Sequence, residues 1–141
     1  MSLSPDSDLA HLEERLLKVL RAVHSDPAAD LLVRRRVALT FLFSEPELAV
    51  RVDGRGGERA AVSTGDAARA APSDLTFRMP GRVAHALWLG DLNPVSAVMA
   101  GQLALQGPLP LALALGPSLR VMQAAYRAVV AQEDALSTPG A

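Results

Sequence analysis

A chain of 141 residues can hold one domain with one good core, since a fold of that size buries roughly 70% of the surface its unfolded chain exposes. Fourteen basic and fifteen acidic side chains leave a net charge of -1, so the broad positive field that a phosphate backbone needs is missing and nucleic acid is excluded as a partner. There is no cysteine, which rules out disulfides and thiolate chemistry and permits a reducing compartment.

Met1 to Asp8 carries Ser, Pro and Asp where a secretory signal would have a basic and then an oily stretch, and Ser4-Pro5 suits a helix start. From there Leu9, Leu12, Leu16, Val19 and Val23 form a helical stripe opposite Glu13, Glu14, Arg15, Lys18 and Arg21, predicting a helix over about 8–25 that Asp26-Pro27 stops. Pro27 to Leu32 is read as a short helical turn.

Between Arg36 and Ser44 the period becomes two, with Val37, Leu39, Phe41 and Phe43 on one face and Ala38, Thr40 and Leu42 on the other, a buried strand. A turn at Ser44-Glu45-Pro46-Glu47 leads to a second strand in which Leu48, Val50 and Val52 alternate with Ala49, Arg51 and Asp53, the latter face wet. Asp53 to Gly57 is a hairpin turn, and Arg59 to Thr64 a third strand. Gly65 to Pro72 is read as a polar, Ala-rich loop, and Leu75, Phe77 and Met79 alternate in a fourth strand ending at Pro80. Helical spacing returns at Val83, Leu87 and Trp88. Asn93 caps a short helix through Val98 and Met99, which Gly101 ends. Gln102 to Gly107 is a fifth strand, and Pro110–Leu115 and Ser118–Gln132 are helices separated near Gly116-Pro117, with a frayed tail from Ser137. No apolar run reaches the ~18 residues of a membrane span. The expectation is a cytoplasmic protein of one α+β domain over 1–141, its core within 36–132.

The run Asp74-Leu75-Thr76-Phe77-Arg78-Met79, followed by Asn93-Pro94-Val95-Ser96-Ala97-Val98-Met99-Ala100-Gly101-Gln102-Leu103-Ala104-Leu105-Gln106-Gly107, resembles the signature of the sterol carrier protein 2 family. The similarity covers roughly residues 36 to 130 and is sharpest from Val98 to Gly107. Pro108 stands where the family usually has an acid, and Pro117 cuts its C-terminal helix. The resemblance implies a five-stranded, mostly antiparallel sheet covered on one face by helices, with an apolar tunnel between them for sterols, fatty acyl chains or similar molecules. Phe41, Phe43, Phe77, Leu103 and Leu105 would then form its floor and Leu87, Trp88, Val98, Leu119 and Met122 its wall, with Met79, Trp88, Met99 and Met122 facing the ligand. A plainly packed core draws on the same residue types.

No nucleophile elbow, phosphate loop or metal-ligand spacing is present, so neither catalytic residues nor a metal or cofactor are expected. Gly54, Gly56 and Gly57 belong to a hairpin, and His11 and His24 to a solvated helix face. His85 is a partly exposed helix residue or a polar contact for a ligand head group. Arg34-Arg35-Arg36 is a solvated strand entry or a weak membrane-surface contact. Three functions compete. The first is non-catalytic binding or carriage of an apolar lipid. The second is an accessory module that scaffolds a lipid-modifying enzyme or pairs with a second copy through the N-terminal Leu stripe and the last helix. The third is an enzyme working through Asp66, Asp74, His85 or Asp91.

Overall fold

The computed structural model describes residues 5–26, 30–45 and 47–137, with side chains described over 11–26, 30–45 and 47–133. Ser4 as helix start, Pro27 as helix stop, Pro46 in the turn, the Leu9 side chain and the tail beyond Ser137 lie outside these residues.

Helix α1 (Pro5–Val23) and the short α2 (Leu31–Arg35) lead into β1 (Ala38–Ser44), β2 (Leu48–Asp53) and β3 (Ala61–Thr64). The five-residue α3 (Asp66–Ala70) precedes β4 (Leu75–Pro80), which runs into α4 (Gly81–Leu89), α5 (Pro94–Met99) and β5 (Ala104–Gln106). The chain closes with α6 (Leu109–Ala114) and α7 (Gly116–Ser137). The five strands form one sheet in the order β3-β2-β1-β4-β5. β1 and β4 are parallel, and the other pairs are antiparallel. Two hydrogen bonds secure the parallel pair where it begins. The Ala38 N–H donates to Asp74 Oδ2 at 2.8 Å, and the Asp74 N–H donates to the Ala38 carbonyl at 2.9 Å.

The register aligns Leu39 with Val52 and Leu75, Phe41 with Val50 and Phe77, and Phe43 with Leu48 and Met79. Leu105 falls beside Phe77, so one face of the sheet is a continuous oily floor. Against it stand α4 and α7, with Trp88 wedged edge-on to Phe43 at 5.7 Å and tilted against Tyr126. α1 packs along α7. Leu12, Leu16 and Val19 are buried there, so this described part of the N-terminal stripe packs inside the chain and is not free to pair with a second copy.

Three local readings are corrected. The second face of β2, expected to be wet, is buried at Ala49 and Arg51, because α3 lies against β2 and because Arg51 is fully engaged. Its guanidinium donates to the Pro72 carbonyl, to Ser73 Oγ and to Asp53 Oδ2. α3 falls where the sequence predicts a polar loop, since five residues are too few to show a helical period. β5 is shorter than expected, because the N–H groups of Gln102 and Leu103 donate to the Ala97 carbonyl and close α5. With Gly101 at φ 73 and its N–H on the Val98 carbonyl, this is a Schellman ending, so the glycine stop and the strand start compete for the same residues. The C-terminal helices separate at Leu115, and Pro117 sits in the first turn of α7, where its missing N–H costs nothing.

Gly54 is required by close approach. A Cβ there would lie 2.4 Å from the Leu32 carbonyl oxygen.

Candidate functional site

Between the sheet floor and the helices lies a cavity of about 450 Å³. Native interiors hold few voids larger than a water, and small-molecule sites span roughly 300–1,000 Å³, so this space has the size of a candidate site. β1 contributes Leu39 and Phe41, β4 Phe77 and Met79, and the β5 region Leu103 and Leu105. α4 supplies Leu87 and Trp88, α5 Val98 and Met99, and α7 Leu119 and Met122. Phe41 is held between a stacked Phe77 at 5.2 Å and the edge of Trp88 at 5.8 Å, which makes that part of the lining rigid.

Of the residues proposed from the sequence, only Phe43 lies outside the lining, because its ring is covered by the edge of Trp88 and so backs the wall. Sequence reasoning missed further contributors, among them Leu20 and Val23 of α1, Leu32 of α2, Leu39 of β1, Val52 of β2, Val95 of α5, Leu109, Ala112 and Leu113 of α6, and Leu115 just after it. Leu20 and Val23 continue the helical stripe already visible in α1. The Leu-Ala run of α6 announces a helix but not the side it presents. Val95, Met99, Leu109 and Leu113 line the cavity and are also exposed, Met99 to 84%, so the space opens through an apolar rim made by α5 and α6.

The polar candidates do not converge there. His85, Asp66, Asp74 and Asp91 are all absent from the cavity wall. Asp74 is held below the ordinary carboxylate range. Burial opposes this, but the Ala38 N–H and the Arg55 guanidinium, whose Nε lies 3.2 Å away, outweigh it. Asp66 is exposed and faces Arg69 at 3.6 Å. His85 joins a network behind the cavity, its Nδ1 2.6 Å from the Tyr126 hydroxyl. Arg15 donates to that hydroxyl at 3.2 Å and to Glu133 at 2.8 Å. Burial, helped by the Arg15 charge, lowers the His85 pKa, and burial raises that of Tyr126.

His24 is not on a solvated face. Its side chain is 9% exposed, lines the cavity, and sets Nδ1 2.5 Å from Asp30 Oδ2. His11 and all three arginines of 34–36 are exposed. Among the described residues no cluster of three or more His, Cys, Asp or Glu is arranged to hold a metal ion, and no helix is long and apolar enough to cross a membrane.

The model of the SCP-2 sterol transfer family matches residues 18–120. Among solved structures, sterol carrier protein 2 from Yarrowia lipolytica, in its apo form, superposes with a TM-score of 0.60 at 17% identity, covering 77% of this chain and 89% of that one. The sterol carrier protein domain 2 of Helicoverpa armigera gives 0.60 at 20% identity, covering 79% and 87%. The ubiquinone synthesis protein UbiJ-SCP2 gives 0.53 at 16% identity, covering 89% and 95%. At such identities these likenesses show the fold alone. No curated protein sequence matches the chain closely enough to count as a relative.

Proposed function

The chain belongs to the SCP-2 sterol transfer family, and on that premise we propose that its cavity binds and carries an apolar, lipid-like molecule such as a sterol, a fatty acid or an acyl chain, without making or breaking a bond in it. The observation that supports this reading is the space of about 450 Å³ whose wall is almost wholly apolar. Affinity would come from burial of ligand surface at about 25 cal/mol per Å², less the cost of ordering the guest. The residues proposed to touch it are Phe41, Phe77, Met79, Leu87, Trp88, Val98, Met99, Leu103, Leu105, Leu119 and Met122. Met79, Met99 and Met122 are unbranched and polarizable, which suits guests of differing shape. Exposed apolar side chains at the α5–α6 rim give the guest a route that avoids crossing a polar collar.

Native mass spectrometry of the purified protein tests the reading. Co-purified lipid, released on denaturation, is the expected result. Protein that emerges empty and fails to take up a dye-labelled fatty acid removes the carrier function.

The same rim favours a second reading. An accessory module would cover Val95, Met99, Leu109 and Leu113 with an enzyme partner, and a fold neighbour named as a ubiquinone synthesis protein points the same way. Capture of a lipid-modifying enzyme, lost when Met99 and Leu113 are changed to Ser, would select it.

A further inference from the structure

The wall of the cavity carries a polar device that apolar carriage does not need. Among the described residues of the lining, His24 is the only polar side chain apart from the Trp88 indole and the Ser118 hydroxyl. Its ring is locked by Asp30. Oδ2 holds Nδ1 at 2.5 Å, while Oδ1 accepts the Leu32 N–H at 3.0 Å, and the carboxylate is only 2% exposed. Capping α2 explains Asp30 but not the histidine, since a carboxylate meets a helix N–H without help. Burying an imidazole beside an oily space is costly unless its second nitrogen is also used. Nε2 makes no hydrogen bond to a described residue, and it is not sealed, because no fully buried side-chain nitrogen or oxygen lacks a partner among the described residues.

We propose that His24 is the polar-end subsite of the cavity and that it takes the hydroxyl of a long apolar alcohol or phenol. This rests on the reading that the cavity admits an apolar guest, and it adds which end group the guest carries. The chemistry selects the hydroxyl. Asp30 engages Nδ1, which leaves Nε2 as the ring atom open to a guest, and a hydroxyl can donate to it when the ring lacks a proton there. A hydroxyl also accepts from Nε2 if the ring is charged, so it is satisfied in either state. A carboxylate is served only by the charged ring and would bring a second anion close to the buried Asp30.

The test compares a long-chain primary alcohol, its methyl ether and the carboxylate of equal chain length, each brominated at the same place along its chain, read by quenching of Trp88 emission on the full chain. The wild type should bind the alcohol about tenfold or more tighter than either analogue, the size of one well-placed hydrogen bond. In His24→Phe that preference should vanish while ether affinity persists. Since this variant leaves Asp30 unpaired, the double variant His24→Phe/Asp30→Asn serves if the single one fails to fold. An alcohol preference that survives in either variant, or a wild type that prefers the carboxylate or does not discriminate, overturns the subsite. If none of the three binds to the wild type, the carrier reading itself has failed.

Discussion

The Tyr126 hydroxyl stands 2.6 Å from His85 Nδ1 and so ties α7 to α4 on the side of Trp88 away from the sheet. Arg15 can only donate, and its N–H at 3.2 Å occupies the hydroxyl oxygen from α1, which leaves the hydroxyl proton to point at a neutral His85. Three helices are joined through one oxygen. Tyr126→Phe keeps the ring and removes that oxygen, so it should cost about 1–3 kcal/mol in urea unfolding, the penalty for partners left without their bond. A midpoint identical to that of the wild type would show the network to be idle.

The same network gives stability a pH dependence. Burial, with the positive Arg15 alongside and with Asp91 and Glu133 opposing, depresses the folded pKa of His85 below its ordinary value of about 6.5. The folded state therefore binds the proton more weakly than the unfolded chain. This contribution is fully present above about pH 6.5 and is lost as pH falls through the depressed folded value. Asp53 and Asp74, both held low, act in a separate window beneath the ordinary carboxylate range. Thermal melts of wild type and His85→Gln should diverge between neutrality and mild acid, the variant being the flatter. Parallel curves would count against the assignment.

Filling the cavity should remove binding and spare the fold. Ala112 of α6 lines the space and is only partly buried, so a larger side chain there enters the void before it meets the core. Ala112→Phe is expected to weaken uptake of a dye-labelled fatty acid about tenfold or more, with a melting temperature near that of the wild type. Unchanged uptake would mean the guest sits elsewhere.

Trp88 is the single tryptophan, buried to 2% exposure and on the cavity wall. A fatty acid brominated along its chain should therefore quench its emission, while the unbrominated acid should not. Trp88→Ala should cost about 3–5 kcal/mol, because Phe41, Phe43 and Tyr126 all lose a partner.

Gly54→Ala tests the meeting of α2 with the end of β2. The new methyl would fall 2.4 Å from a backbone oxygen that cannot swing away, so a loss of about 1–3 kcal/mol is expected in denaturant titration. Gly56, around which a Cβ meets nothing within 4 Å, is the control and should tolerate alanine.

Local chemistry already present in the residue order set much of this architecture. Alternation at Leu39, Phe41 and Phe43 and at Leu75, Phe77 and Met79 specifies strands with one oily face, and the register turns those two faces the same way. Asn93 before Pro94 marks a helix start, and its Oδ1 accepts from Val95 and Ser96 as that signal requires. What no local pattern carries is distance. Patterning tells a residue to leave water but not how far the opposing surface will stand, so Phe41 and Trp88 had the same signature whether they met in a packed core or enclosed a cavity. His24 shows the same limit. A histidine at the end of an amphipathic helix is ordinary, and only the tertiary structure sets it against Asp30 and in the wall of the cavity.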